Sequence, residues 1–229
     1  MTTSLAPRFH AVQQQIAEAA KAAGRDPAGI RLLAVSKTQE PVQINALHAL
    51  GQIAFGENYI QEALAKQPNC SPTIEWHCIG PVQSNKSRLV AEHFAWCQSL
   101  HSLKLARRLS EQRPSHLAPL QCCIQLHIGD EASKSGVMPA EALALAEAVV
   151  MLPNLRLRGV MCIPPASDSV PEQRHYFAEA KAVYQQLQHH FEGIDTLSMG
   201  MSADLSAAIA EGSTMVRVGT ALFGPRTKR

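Results

Sequence analysis

The stretch "RLLAVSKTQEPVQINALHALGQIAFGE", residues 31–57, decides how the chain is read. A short branched run at 31–36 gives way to a polar turn. A helix-like segment then begins near Pro41, and a second apolar run follows at 53–57. Short strands joined by crossover helices produce this alternation, and with it a parallel sheet. The same pattern recurs downstream in "EWHCIG" (75–80), "FAWCQSL" (94–100), "LQCCIQLHI" (120–128), "LRGVMCI" (157–163), "DTLSMG" (195–200) and "MVRVG" (215–219). Helical stretches such as "PAEALALAEAVVML" (139–152) and "EQRHYFAEAKAVYQQLQHHF" (172–191) lie between them. Eight strand-like runs predict an α/β fold, a single (β/α)8 TIM barrel over residues 1–229, although an open doubly wound sheet has the same local signals. Ahead of the first strand, Leu5, Phe9, Val12, Ile16, Ala19 and Ala23 recur at helical spacing up to Gly24, which predicts an N-terminal helix with a glycine stop. The breaker-rich "IPPASDSVPEQ" (163–173) reads as one loop before a helix.

Composition narrows the function classes. With 229 residues and 46% hydrophobic content the chain can bury a full core. Its formal net charge of +2 is spread without a basic run, which argues against nucleic acid and anionic membranes as partners. No apolar run has the length of a membrane span and no signal-peptide block opens the chain, so a cytoplasmic location is expected. Cys70, Cys78, Cys97, Cys122, Cys123 and Cys162 form no C-x-x-C pair and fall mostly in strand-like runs, where cysteine acts as a small hydrophobe. Ten histidines lack metal-ligand spacing, so no metal site is expected.

In a barrel, reactive groups gather at the C-terminal ends of the strands, and Lys37 is at such an end. Alternation puts Leu33, Val35 and Lys37 on one face, with Leu32, Ala34 and Ser36 on the other. If the first face points inward, an amine stands over an apolar interior. An ordinary lysine, with a pKa of about 10.4, is a poor nucleophile at neutral pH, whereas a desolvated one condenses with carbonyls. A lysine snorkelling into water has the same sequence signature.

Near the C-terminus, "SMGMSADLSAAIAEGSTMVRVGTALFG" (198–224) carries a second signal. Gly200 and Ser202 precede the helical "ADLSAAIAEG", where backbone N–H groups and a hydroxyl could meet an anion, or where serine could simply cap a helix. Gly219 permits close approach of a ligand to the backbone, and Thr220 adds a hydroxyl and an N–H. The loops after strands seven and eight of a barrel frequently hold phosphate. Arg217 shares a strand face with Gly219; an inward arginine needs either a salt-bridge partner or a ligand.

With these residues in place, the chain resembles the pyridoxal phosphate homeostasis protein family, whose barrel is similar to the N-terminal domain of alanine racemase. The matching stretches are "AVSKT", "FGENYIQE", "WHCIGPVQSNK", "DEASKSG" and the long segment at 198–224, spanning about residues 31 to 226. The resemblance implies that Lys37 forms an internal aldimine with pyridoxal 5'-phosphate. It also implies that Ser202, Gly219 and Thr220 hold the phosphate, that Arg217 faces the pyridine nitrogen and that Asn58 lies beside the ring. A permanently charged donor at that nitrogen would keep it unprotonated and make the ring a weaker electron sink. Leu126 and His127 stand where relatives tend to carry an asparagine, and Cys78 replaces a usual aromatic. Lys86 and Lys134 read as solvated loop lysines, with a part in handing the cofactor over as the alternative.

Alanine racemase draws a tyrosine acid/base from a further domain, for which no sequence is left after the eighth run. Of Tyr59, Tyr176 and Tyr184 only Tyr59 falls near the ring end. The expected function is therefore a monomeric carrier without robust catalysis. It would hold pyridoxal phosphate reversibly, limit free aldehyde and deliver the cofactor to apo-enzymes, so maintaining vitamin B6 homeostasis. The alternatives are a pyridoxal-phosphate racemase or lyase acting through Lys37, a cofactor-free Schiff-base aldolase on a phosphorylated sugar, and a scaffold with a vestigial site.

Overall fold

The computed structural model describes residues 5–129 and 136–224. Eight parallel strands pair in chain order and close on themselves: β1 (Arg31–Val35), β2 (Ala54–Glu57), β3 (Glu75–Cys78), β4 (Trp96–Leu100), β5 (Leu120–Leu126), β6 (Leu155–Cys162), β7 (Thr196–Ser198) and β8 (Met215–Val218). Closure rests on β1 and β8, whose register runs from Arg31 opposite Met215 to Ala34 opposite Val218. This pairing excludes the open sheet. The helices are α1 (Leu5–Ala22), α2 (Pro41–Ala49), α3 (Ile60–Lys66), α4 (Ser87–His93), α5 (Leu103–Gln112), α6 (Ala142–Val150), α7 (Val170–His190), α8 (Leu205–Ala210) and α9 (Thr220–Phe223).

Strand alternation sorts the side chains as the sequence predicts. Ala34, Phe55, Trp76, Val216 and Val218 face outward into the layer between barrel and helices. Leu33, Ala54, Ile79 and Met215 face inward with Val35 against them, and Trp96, Cys123 and Met161 make a second inner cluster. The outer layer carries most of the apolar burial. The barrel interior also holds polar groups, His77, Gln98, Ser198 and Arg217, all buried.

The N-terminal helix buries Phe9, Val12, Ile16 and Ala20. It packs across α8 and α9, and Arg25, just beyond it, donates to the Ile209 carbonyl at 2.7 Å. The six cysteines are thiols, five of them buried in strands. Among the described residues no helix is long and apolar enough to cross a membrane.

Candidate functional site

At the C-terminal end of the barrel lies a pocket of ≈ 330 Å³, a size suited to a small molecule. Lys37, Asn58, Ser202, Arg217, Gly219 and Thr220 all line it. The residues themselves point to five of them, the family resemblance adds Asn58, and the fold brings all six together.

Lys37 leaves β1 on the inward face, above Leu33 and Val35, and is half-buried. Its turn is closed by a hydrogen bond from the Gln39 amide to the Ser36 carbonyl (3.0 Å), with Thr38 in the left-handed region at φ 65°. Both neighbours of Lys37 are tied to β2 and α3. Ser36 Oγ donates to Glu57 Oε1 at 2.5 Å, and the Thr38 amide donates to Glu62 Oε1 at 2.5 Å.

Arg217 is buried and its partners are neutral. Nη1 donates to the Ser198 carbonyl (2.8 Å) and to Ser198 Oγ (2.9 Å), and Nη2 donates to the Cys162 carbonyl (2.7 Å). Among the described residues no carboxylate forms an ion pair with it, so the salt-bridge reading of this arginine is set aside. Burial lowers its pKa, yet a guanidinium keeps its proton at neutral pH. Behind it a hydrogen-bonded chain runs through the barrel. Ser198 Oγ donates to Gln98 Oε1 (2.7 Å), Gln98 Nε2 donates to His77 Nδ1 (2.9 Å), and His77 Nε2 meets Glu75 Oε1 (2.6 Å). Because an amide nitrogen only donates, His77 Nδ1 accepts and Nε2 carries the hydrogen. Burial outweighs the pull of Glu75 and lowers the His77 pKa to about 4, so the ring is neutral at pH 7. Arg31 holds the far end, donating to Glu75 Oε1 at 2.6 Å.

Asn58 follows β2, and its Oδ1 is buried with no hydrogen-bond partner. An acceptor left orphaned on a pocket wall fits a ligand that supplies the donor. Gly80 makes this placement possible, since a Cβ there would lie 2.1 Å from the Asn58 carbonyl oxygen.

At the anion end the structure corrects one expectation. The helix after Gly200 starts at Leu205, and residues 201–204 form a turn. Asp204, at the N-cap position, turns its carboxylate back to accept the Met201 amide at 2.5 Å, which closes the turn and delays the helix. Ser202 is therefore an exposed turn residue on the pocket rim and caps nothing. After the next strand, α9 begins at Thr220 with Gly219 as its N-cap. Helices this short have little dipole, so an anion placed here would depend on the amide and hydroxyl groups themselves.

Residues 8–227 match the family described as "Alanine racemase, N-terminal domain". Over 225 residues the chain is 53% identical to the pyridoxal phosphate homeostasis protein of Pseudomonas aeruginosa, covering 98% of this chain and 96% of that one. The chain belongs to the pyridoxal phosphate homeostasis protein family. The family member of Escherichia coli (strain K12) is 50% identical over 219 residues, covering 94% of each chain. The solved structure of PipY from Synechococcus elongatus with PLP bound superimposes with a TM-score of 0.79 at 37% identity, covering 91% of this chain and all of that one.

Two of the departures from the family pattern noted in the sequence, Cys78 and Leu126, are explained by facing. Cys78 and Leu126 both point into the outer layer, away from the pocket. His127 lies just past β5, its amide donating to the Val137 carbonyl at 2.8 Å. Lys86 ends a helical turn at Ser84–Lys86 and does not line the pocket, and Lys134 lies outside the described residues. Tyr59 is the exposed N-cap of α3, while Tyr176 and Tyr184 sit on α7. Ile79 and Ile163 line the pocket as apolar walls that sequence reading passed over. Their signal was available, since each is an inward position two residues beyond another inward residue.

Proposed function

We propose that this chain binds pyridoxal 5'-phosphate reversibly through Lys37 and acts as a carrier that keeps the cofactor available to apo-enzymes. The observation that carries the reading is the sharing of one ≈ 330 Å³ pocket by a strand-end lysine, a buried arginine with no carboxylate partner among the described residues and two turns that present hydroxyl and amide groups. When bound, pyridoxal phosphate supplies an aldehyde carbon open to attack by an amine. In this reading Lys37 provides that amine from the top of an apolar interior. Ser202, Gly219 and Thr220 receive the phosphate with hydroxyl and amide donors. Arg217, fixed from behind by Ser198 and Cys162, directs a charged donor at the ring nitrogen and keeps a proton off it, which suits storage better than carbanion chemistry. Asn58 Oδ1 accepts from the ligand beside the ring. The names and PLP-bound structure of close relatives support the assignment. Residues 1–229 then act as one barrel domain.

The test is the absorbance spectrum of purified protein with added pyridoxal phosphate, beside Lys37→Ala, followed by borohydride reduction and peptide mass mapping. A visible band in the wild type and a reduced adduct on Lys37 are expected. A wild type that takes up no pyridoxal phosphate overturns the reading, and robust turnover of an amino acid overturns its carrier half.

A further inference from the structure

We propose that Glu57, Lys66 and Glu62 are positioning residues for Lys37: a charged network on β2 and α3 fixes the two peptide units that flank the reactive lysine. The inference rests on the role given to Lys37 above. Lys66 is nearly fully buried and uses its ammonium group on three acceptors: the Ser36 carbonyl (3.0 Å), Glu57 Oε1 (2.9 Å) and Glu62 Oε1 (2.8 Å). Glu57 is fully buried and also accepts the Ser36 hydroxyl. Glu62 in addition accepts the Thr38 amide. Ser36 is thus held at both its side chain and its carbonyl, and Thr38 at its amide.

Stability alone is a poor reason for this arrangement. Burying a carboxylate and an ammonium costs more than burying an apolar pair of the same volume. The neighbouring outward positions, Ala34 and Phe55, are apolar. Glu57 even leaves Oε2 buried without a partner. The contacts of the network converge on Ser36 and Thr38, and Thr38 is the one described non-glycine residue with positive φ. A branched residue keeps that conformation only when its surroundings impose it. The Glu62 bond to the Thr38 amide is such a constraint, and it sets where the Lys37 side chain departs from the backbone.

Glu62 offers the cleanest test, because its side chain is 32% exposed and its replacement leaves no deeply buried gap. Glu62→Ala removes the acceptor for Thr38, whereas Glu62→Gln keeps a carbonyl oxygen in the same place. Three readouts are compared in the full-length protein: hydrogen exchange at the Thr38 amide without ligand, labelling of Lys37 by trinitrobenzenesulfonate, and the rate of borohydride-trapped pyridoxal phosphate adduct on Lys37. Glu62→Ala is expected to speed Thr38 exchange and to slow adduct formation about tenfold, with Lys37 labelling changed as well. Affinity for inorganic phosphate should hold, and Glu62→Gln should restore most of the adduct rate. A merely structural role would lower the melting temperature of both variants without this split. Wild-type adduct and labelling rates in Glu62→Ala overturn the inference. If the wild type takes up no pyridoxal phosphate, the functional reading fails, and Thr38 exchange with Lys37 labelling still decides the positioning role.

Discussion

Asn58 has a buried oxygen that no group among the described residues satisfies. Removing such an atom takes away a desolvation cost along with whatever it binds. Asn58→Ala is therefore expected to change stability by less than about 1 kcal/mol in urea unfolding, while weakening pyridoxal phosphate binding roughly tenfold. A large loss of stability with unchanged affinity would assign the residue to the scaffold. At this scale the sequence marked Lys37 and Arg217 as candidates, because alternation along β1 and β8 put each charge on one strand face, but the fold was needed to show that this face is the inward one. It hid His77, Gln98 and Ser198. Each is a single polar residue within an apolar run, and its partner comes from another strand, so no local spacing links them.

Among the elements, the turn at 201–204 makes a prediction opposite to that of an ordinary anion site. Asp204 holds the Met201 amide with a carboxylate, and its charge reaches Arg217. A negative group near the proposed phosphate cradle works against binding. Asp204→Asn keeps an oxygen for the amide and removes the charge, so affinity for inorganic phosphate and pyridoxal phosphate should rise about threefold, more at low salt. Titration at two ionic strengths checks this. The helical pattern after Gly200 was legible, but its start was not. The sequence pointed to Ser202 as the cap, and the later start at Leu205 follows from a hydrogen bond of the Met201 amide to Asp204 that propensity does not encode. The sequence marked Gly200 beside Ser202 as part of a candidate anion site, and its packing role was not legible. In the fold it takes φ 92°, and a Cβ there would lie 2.4 Å from the Ala208 Cβ, so it seats α8 against β7.

For the whole molecule, the interior chain from Arg31 to Arg217 ties stability to pH. His77 has its pKa lowered to about 4 in the fold, against 6.5 when unfolded. Between those values the unfolded chain binds more protons, so stability falls as pH drops from 6.5 towards 4 and is fully present above that window. The depression corresponds to about 3 kcal/mol at most. Glu75, also lowered despite its burial because of His77 and Arg31, adds loss in the same direction at still lower pH. Urea midpoints measured at pH 7, 5.5 and 4.5 should drop steadily in the wild type, and His77→Gln should flatten the slope across that window. A parallel slope in the variant would remove His77 from the account. The eight strands were readable one by one, whereas closure was inferred from their number alone. The contact that separates a barrel from an open sheet joins Arg31 to Met215, and nothing in either neighbourhood announces the other.

That closure has a bearing on how the protein is made. Lys37 comes from the first strand, Arg217 from the last, and the two turns at the anion end precede and follow that last strand, with α1 packed over α8 and α9. During synthesis the lysine leaves the ribosome long before the residues that complete its pocket. If Lys37 takes the cofactor as proposed, capture waits until translation has passed Thr220 and the final strand has docked beside the first.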